Sequence, residues 1–328
     1  MARLTTFILL AGLIAVALLS LHVGSAPVSV LSGLSDWLAG RDGAAAMIVG
    51  EVRLPRTLLA LAVGAALGLS GAALHGLLRN PLADPSLTGA SQGAALGAAA
   101  VFYFGLFPGA GDGAPALAGL LGAGLALLLM LALAGSSRPA MVIMAGLAIS
   151  TLTGAALATV LNFAPNPYAM QELVFWLLGS VSERGLDHLL LLLPALVVGG
   201  WLVWRQRRLL AALSLGDQVA ESMGLPVGRG GRLVVLGVAL LVGASVSVAG
   251  SIGFVGLVVP HMVRPWVGHR PDRLLIPSAL AGAVLVCLAD VGVRLLPPGQ
   301  ELKLGVLTSL VGAPLFIWLV WRERRRWL

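Results

Sequence analysis

The sequence predicts an all-α polytopic membrane protein with ten transmembrane helices, and three observations carry that reading. Of 328 residues, 58% are hydrophobic and only 11% charged, against roughly a quarter charged in an average soluble domain. Apolar runs of about 17 to 25 residues, long enough to cross a bilayer as helices, recur from Leu4 onward. The basic residues fall into a one-sided pattern only if the chain crosses an even number of times.

Taken in order, the spans run from Leu4 to Val23, Thr57 to Leu78, Ala90 to Phe107, Ala114 to Ala134 and Ala140 to Asn162. Five more follow, from Leu186 to Trp204, Leu233 to Gly250, Ser251 to Val263, Leu274 to Val293 and Leu304 to Trp321. The first follows Arg3 as a signal peptide would. Its length exceeds a signal h-region, however, and Ala26 before Pro27 is a poor cleavage site, so it reads as a retained span. Residues Leu233 to Val263 fit either two short spans or one kinked one. With ten spans and the N-terminus inside, 15 of the 21 Lys and Arg lie on the inner side, among them Arg3, Arg79, Arg138 and Arg264. With nine spans, 10 lie inside and 11 outside, and the positive-inside bias vanishes. Ten spans put both termini in the cytoplasm. Glycine pairs such as Gly64 with Gly68, and Gly93 with Gly97, have the small-xxx-small spacing that lets helix backbones approach closely.

Arg53 to Gly89 aligns without gaps on Arg232 to Gly268, matching Gly64 with Gly243, Gly71 with Gly250 and Pro81 with Pro260. Five spans separate the copies, so they would run in opposite directions, which is the inverted-repeat pattern of many transporters. Chance matching of Gly/Ala/Leu-rich helices is the alternative. The chain then forms one transmembrane domain over 1–328, with halves near 1–185 and 186–328 and a long inner loop at 205–232.

Several functions are disfavoured. The net charge of +7 comes from basic residues scattered between apolar runs rather than gathered on one face, which argues against nucleic-acid binding. The single cysteine, Cys287, rules out an internal disulfide and reads as a small packed hydrophobe. Lys303, the only lysine, precedes Leu304, so no GxxxxGK[ST] phosphate loop exists and any ATP is hydrolysed by another chain. No HExxH occurs and the five histidines are dispersed, which argues against a metal centre. Apart from Asp187, the second residue of the sixth, Asp290 is the one carboxylate within the spans. A proton site there would suit an ion-coupled carrier, but pairing with backbone or with Arg294 one turn later is the simpler reading.

Two features face the two sides. In the inner loop, Leu213, Leu215, Gly216, Asp217, Ala220, Glu221, Ser222, Met223 and Gly224 belong to one short amphipathic helix, with Gly224 and Pro226 ending it. It reads as an element gripped by a cytoplasmic partner; the alternative, a helix lying on lipid, is disfavoured by Asp217 and Glu221. On the outer side, Arg53, Arg56 and Arg294 defy the positive-inside trend. Carboxylates on a docking partner would explain them, as would snorkelling to lipid phosphates.

Five ordered runs, Arg53-Leu-Pro-Arg56, Asn80-Pro-Leu-Ala-Asp-Pro85, Phe175-Trp-Leu-Leu-Gly-Ser180, Gly253-Phe-Val-Gly-Leu-Val-Val-Pro-His261 and Gly312-Ala-Pro314, resemble the FecCD-type permease family across nearly the whole chain. The resemblance implies a type II ABC importer permease in the bacterial inner membrane, acting as a homodimer with its pathway at the two-fold axis. It also implies two cytoplasmic ATPase subunits carrying ATP and Mg, no cofactor bound by this chain, and a periplasmic or lipid-anchored binding protein. In the family's cobalamin importer, arginines matching Arg53, Arg56 and Arg294 receive glutamates of the binding protein, and the stretch matching Leu213 to Gly224 seats on the ATPases. His75, Asn80, Ser91, Gln92 and Ser150 are expected along the pathway, His75 standing where glutamine is common and Ser251 where proline is. A packed histidine on the helix face is weighed against a haem contact at His75. The expected cargo is a siderophore-bound iron, haem or cobalamin. An ion-coupled secondary transporter and a structural scaffold are the competing readings.

Overall fold

A bilayer core offers no water to backbone N–H and C=O groups, and a chain this apolar satisfies them within helices. The structure is a computed structural model and describes residues 2–104, 113–134, 139–163, 167–296 and 302–324. Arg138, the tail arginines Arg325 and Arg326, and residues 105–107 at the end of the third expected span lie outside the described residues. Among the described residues there is no strand, and each of the ten apolar stretches falls on a helix.

The first stretch is α1 (Ala2–His22), followed by the short α2 (Val30–Leu38) and α3 (Ala44–Met47). A wider π turn at Ile48–Arg53 joins α3 to α4 (Leu54–Leu78). The second expected span thus begins well before Thr57, within a helical run from Ala44 to Leu78. Pro55 follows the π turn, where its missing N–H removes one ordinary helical bond. A single 3₁₀ turn (Pro85–Thr88), capped by the Asp84 carboxylate accepting from the Ser86 N–H, leads to α5 (Ala90–Phe104). Next come α6 (Ala114–Ala134), α7 (Pro139–Asn162), α8 (Pro167–Leu177) and α9 (Leu186–Arg205). The inner loop forms α10 (Arg207–Leu213) and α11 (Asp217–Ser222), and the chain ends with α12 (Val227–Ala249), α13 (Val255–Val267), α14 (Pro271–Arg294) and α15 (Leu304–Arg324).

Among the described residues, seven helical stretches are long and apolar enough to cross a membrane, and Ala90–Phe104 and Leu304–Trp318 are shorter apolar ones. The stretch from Leu233 to Val263 resolves into two helices. Gly250 leaves α12 at φ 68°, Phe254 opens α13 at φ 65°, and the non-helical residues between them break the helical ladder.

α4 lies at the centre, packed on α14 and flanked by α9, α12 and α13. Leu210 of α10 touches Gly76 near the end of α4, and Leu209 touches Gly230 near the start of α12, so α4 and α12 run in opposite directions. The glycine spacing acts as the sequence predicts. Gly64 and Gly68 face the backbone of Gly282 and Ser278 on α14, and Gly93 and Gly97 face Gly122 and Ala118 on α6. A side chain at any of these positions would meet backbone rather than a movable side chain.

Four of the five family-like runs meet around residues 250–256. Gly179 packs on Ser251, Gly312 accepts the Phe254 ring, and Pro85 lies against Gly256, whose carbonyl faces Gly71. Ser180 N–H donates to Ala249 O at 2.7 Å and Gly305 N–H to Gly179 O at 3.2 Å. The broken helix is therefore held by backbone stitching from α8 and α15.

Gly68→Leu should lower stability in detergent by about 2 kcal/mol, since α4 must separate from α14. Gly124→Leu, at a position open to its surroundings, should leave it unchanged. Equal unfolding midpoints for the two variants would contradict this packing account.

Candidate functional site

At one end of the bundle the ends of α1 and α14 meet the start of α4. There the structure brings together the three arginines that the sequence places on the outer side. Arg53 is 4% exposed and turned inward, its Nη1 donating to Leu21 O at 2.9 Å and its Nη2 to Ala26 O. Arg56 donates from Nε to Asp290 Oδ1 at 2.9 Å, with its Nη2 at 2.8 Å from the same oxygen. Arg294 reaches Asp290 Oδ2 at 2.8 Å and donates from Nη1 to Ser20 O at 2.8 Å and Val23 O at 2.9 Å. The hydroxyls of Ser20 and Thr57 share a hydrogen bond at 2.7 Å.

Asp290, 1% exposed, is therefore shared between a guanidinium one turn later on its own helix and one on α4. The i,i+4 spacing made the Arg294 contact legible, whereas the Arg56 contact needed the α4/α14 packing. Arg56 and Arg294 share one buried carboxylate and Arg53 is met by backbone carbonyls, so the three arginines keep a positive excess. The Arg56 side chain is 18% exposed and that of Arg294 9%, so Arg56 is the most accessible of the three.

The opposite end carries the inner loop. The sequence expectation of one helix from Leu213 to Gly224 is corrected here. The chain turns at Ser214–Gly216, with Gly216 at φ 111°, and forms a hairpin of α10 and α11. Only a residue without Cβ takes that backbone angle easily, and this divides the expected helix. Leu213 and Ala220 are buried and hold the hairpin to the bundle. Leu215 (67% exposed) and Met223 (60%) project from it, with Glu221, Ser222 and Gly224 also exposed. Gly224, at φ 75°, ends α11 as expected. A concavity of about 710 Å³ is lined by Arg207, Arg208, Leu215, Met223, Arg270 and Asp272, joining the hairpin to the start of α14. Arg207 lies 4.6 Å over the Trp204 ring and Arg205 5.3 Å over Trp201. These two indoles and that of Trp266 are exposed, as amphipathic rings at a membrane interface are.

The expected pathway residues do not form one cluster. His75 is 3% exposed between α4 and α13, with Nδ1 3.3 Å from Arg264 Nη2, and is thus a packed side chain in this conformation. Asn80 is exposed after α4, its Oδ1 accepting from Leu82 N–H at 2.9 Å. Ser91 and Gln92 are half-buried at the start of α5, and Ser150 is half-buried on α7 beside Gly89.

Removing Asp290 leaves two guanidinium groups in an apolar bundle, so Asp290→Ala should cost about 3 kcal/mol of stability, and Asp290→Asn, which keeps acceptor capacity, should cost less. Denaturant titration in detergent reads both. Wild-type stability of Asp290→Ala would show that the cluster does not hold α1, α4 and α14 together.

Comparison with known proteins places this architecture. The profile of the FecCD transport family matches residues 12–322. The vitamin B12 import system permease BtuC of Citrobacter koseri is 38% identical over 297 residues, covering 88% of this chain and 87% of that protein. The hemin transport system permease HmuU of Yersinia pestis is 38% identical over 336 residues, covering 97% of each. A solved metal-chelate type ABC transporter in an inward-facing conformation superposes with a TM-score of 0.80 at 31% identity, over 98% of this chain and 99% of that one. PsaBC of Streptococcus pneumoniae, at 17% identity and a TM-score of 0.54, shares the fold. An all-helical bundle whose helices match a solved transporter of this type, and whose sequence matches these permeases nearly end to end, belongs to the FecCD transport family.

Proposed function

We propose that this chain is the permease subunit of an ATP-binding-cassette importer that carries an iron chelate, as siderophore or haem, or cobalamin across the bacterial inner membrane. The observation that carries the reading is the family match over residues 12–322 together with a full-length structural match at 31% identity. The relatives named for vitamin B12 and hemin transport set the cargo class. Their near-equal identity to this chain leaves the choice among cargoes to experiment.

The importer reading assembles two copies of the chain around a shared pathway, with two cytoplasmic ATPases and a periplasmic or lipid-anchored binding protein. ATP and Mg belong to the ATPases. Each copy crosses the membrane ten times with both termini inside, and its two halves form an inverted repeat. The opposite directions of α4 and α12 support the repeat. Against a simple repeat, α4 runs unbroken through Gly71 while α12 ends at the matching Gly250.

The cluster of Arg53, Arg56 and Arg294 receives carboxylates of the binding protein, with its excess positive charge as the attraction and Arg56 as the foremost contact. The hairpin of α10 and α11 receives the ATPase, led by Leu215, Glu221 and Met223. His75, Asn80, Ser91, Gln92 and Ser150 contribute polar groups along the route once the bundle opens. Asp290 is tied to two arginines, so the ion-coupled alternative has no support from that carboxylate.

Proteoliposomes holding the complete complex should accumulate one of ferric siderophore, haem or cobalamin only when ATP is present on the ATPase side. Arg56→Glu should weaken binding-protein docking at least about tenfold, the scale of reversing one charge at an interface. Uptake that persists without ATP, driven by an ion gradient, would replace this reading with the secondary transporter.

A further inference from the structure

Besides the apolar contacts of α10, the inner loop is joined to α4 by an ion pair that the family resemblance does not assign, although Asp217 itself lies among the expected loop residues. Arg79 Nη2 lies 3.0 Å from Asp217 Oδ1, with side chains 48% and 40% exposed. Both partners sit at backbone positions that fix their direction. Arg79 closes α4 in the left-handed region at φ 53°, and Asp217 opens α11 directly after Gly216 at φ 111°. A non-glycine residue in the left-handed region carries a conformational cost, so its persistence points to a role for the geometry it creates.

We infer that Arg79 and Asp217 form the strut through which the hairpin moves α4; this rests on the hairpin being the ATPase contact. A half-exposed pair adds little to folding stability, so holding the fold together does not account for it. Its position accounts for more. α11 rests on α10 and α12, and Asp217 gives it a polar tie to α4. α4 is a 25-residue helix of about 37 Å. It carries an ion pair at each end, Arg79 with Asp217 beside the hairpin and Arg56 with Asp290 in the arginine cluster. Between them it packs backbone to backbone on α14 and on the broken helix at Gly256. A displacement of the hairpin thus reaches the far end of the bundle through one stiff rod whose ends are both pinned by charge. Arg79 and Asp217 are positioning residues in this scheme and touch no cargo.

The test is a charge exchange in the full complex, reading cargo moved per ATP hydrolysed, with whichever of haem, ferric siderophore or cobalamin the wild type accumulates. Arg79→Asp and Asp217→Arg should each lower that ratio about two- to fivefold, the range of one exposed ion pair. The double exchange should restore it, while binding-protein docking stays intact throughout and the milder Arg79→Gln, which leaves the hairpin untouched, keeps ATPase assembly. Single variants with the wild-type ratio would overturn the inference. So would a double exchange no better than the singles, or loss of ATPase assembly in the milder Arg79→Gln. A wild-type complex whose uptake ignores ATP would instead remove the importer reading on which the strut depends.

Discussion

The structure depends on one constraint: ionised groups within an apolar bundle must be matched inside it. Asp290 is 1% exposed within an apolar bundle, and its charge is tolerable only because Arg56 and Arg294 converge on it. That convergence fixes which end of α1 meets which ends of α4 and α14, since Arg53 and Arg294 satisfy the final carbonyls of α1 as well. α1 is otherwise held mostly by apolar contact and is lipid-like on much of its surface, with Phe7 and Ile8 widely exposed. The ionic cluster gives it a register that apolar packing alone would leave loose.

Glycine does the complementary work through the length of the bundle. Association in lipid gains little from hydrophobicity, so the helices rely on close backbone approach. The contacts of Gly64 and Gly68 with α14, and of Gly93 and Gly97 with α6, show this directly. The same device stitches the broken helix at 250–256 to α8 and α15. Backbone contacts of this kind either hold or part and do not deform gradually, which suits a machine that switches between two packings.

Much of this was legible in sequence because the bilayer imposes a coarse and regular code. Apolar length located the long helices, the small-xxx-small spacing located the contacts of α4 with α14 and of α5 with α6, and the ordered runs named the family. The Arg294 to Asp290 pairing followed from helical spacing. What escaped were features set by packing between distant segments. Arg56 reaches Asp290 across 234 residues, and no local pattern announces it. The inward turn of Arg53 and the burial of His75 against Arg264 have the same origin. The hairpin was misread as one helix because its amphipathic pattern continues through Gly216, whose backbone angle only the fold reveals. The convergence of four family-like runs on residues 250–256 explains in physical terms why those short stretches are recognisable at all: each supplies a glycine or proline at a close contact around the break.

The account turns on the arginine cluster and the α10–α11 hairpin lying on opposite faces of the membrane. Single cysteines at Leu31, exposed on α2 beside the cluster, and at Met223 on the hairpin test this in a chain whose buried Cys287 is replaced by alanine. In intact spheroplasts an impermeant maleimide should label the Leu31→Cys chain at once and the Met223→Cys chain only after the membrane is opened. Labelling of both from the outside would contradict the topology and the importer reading built on it.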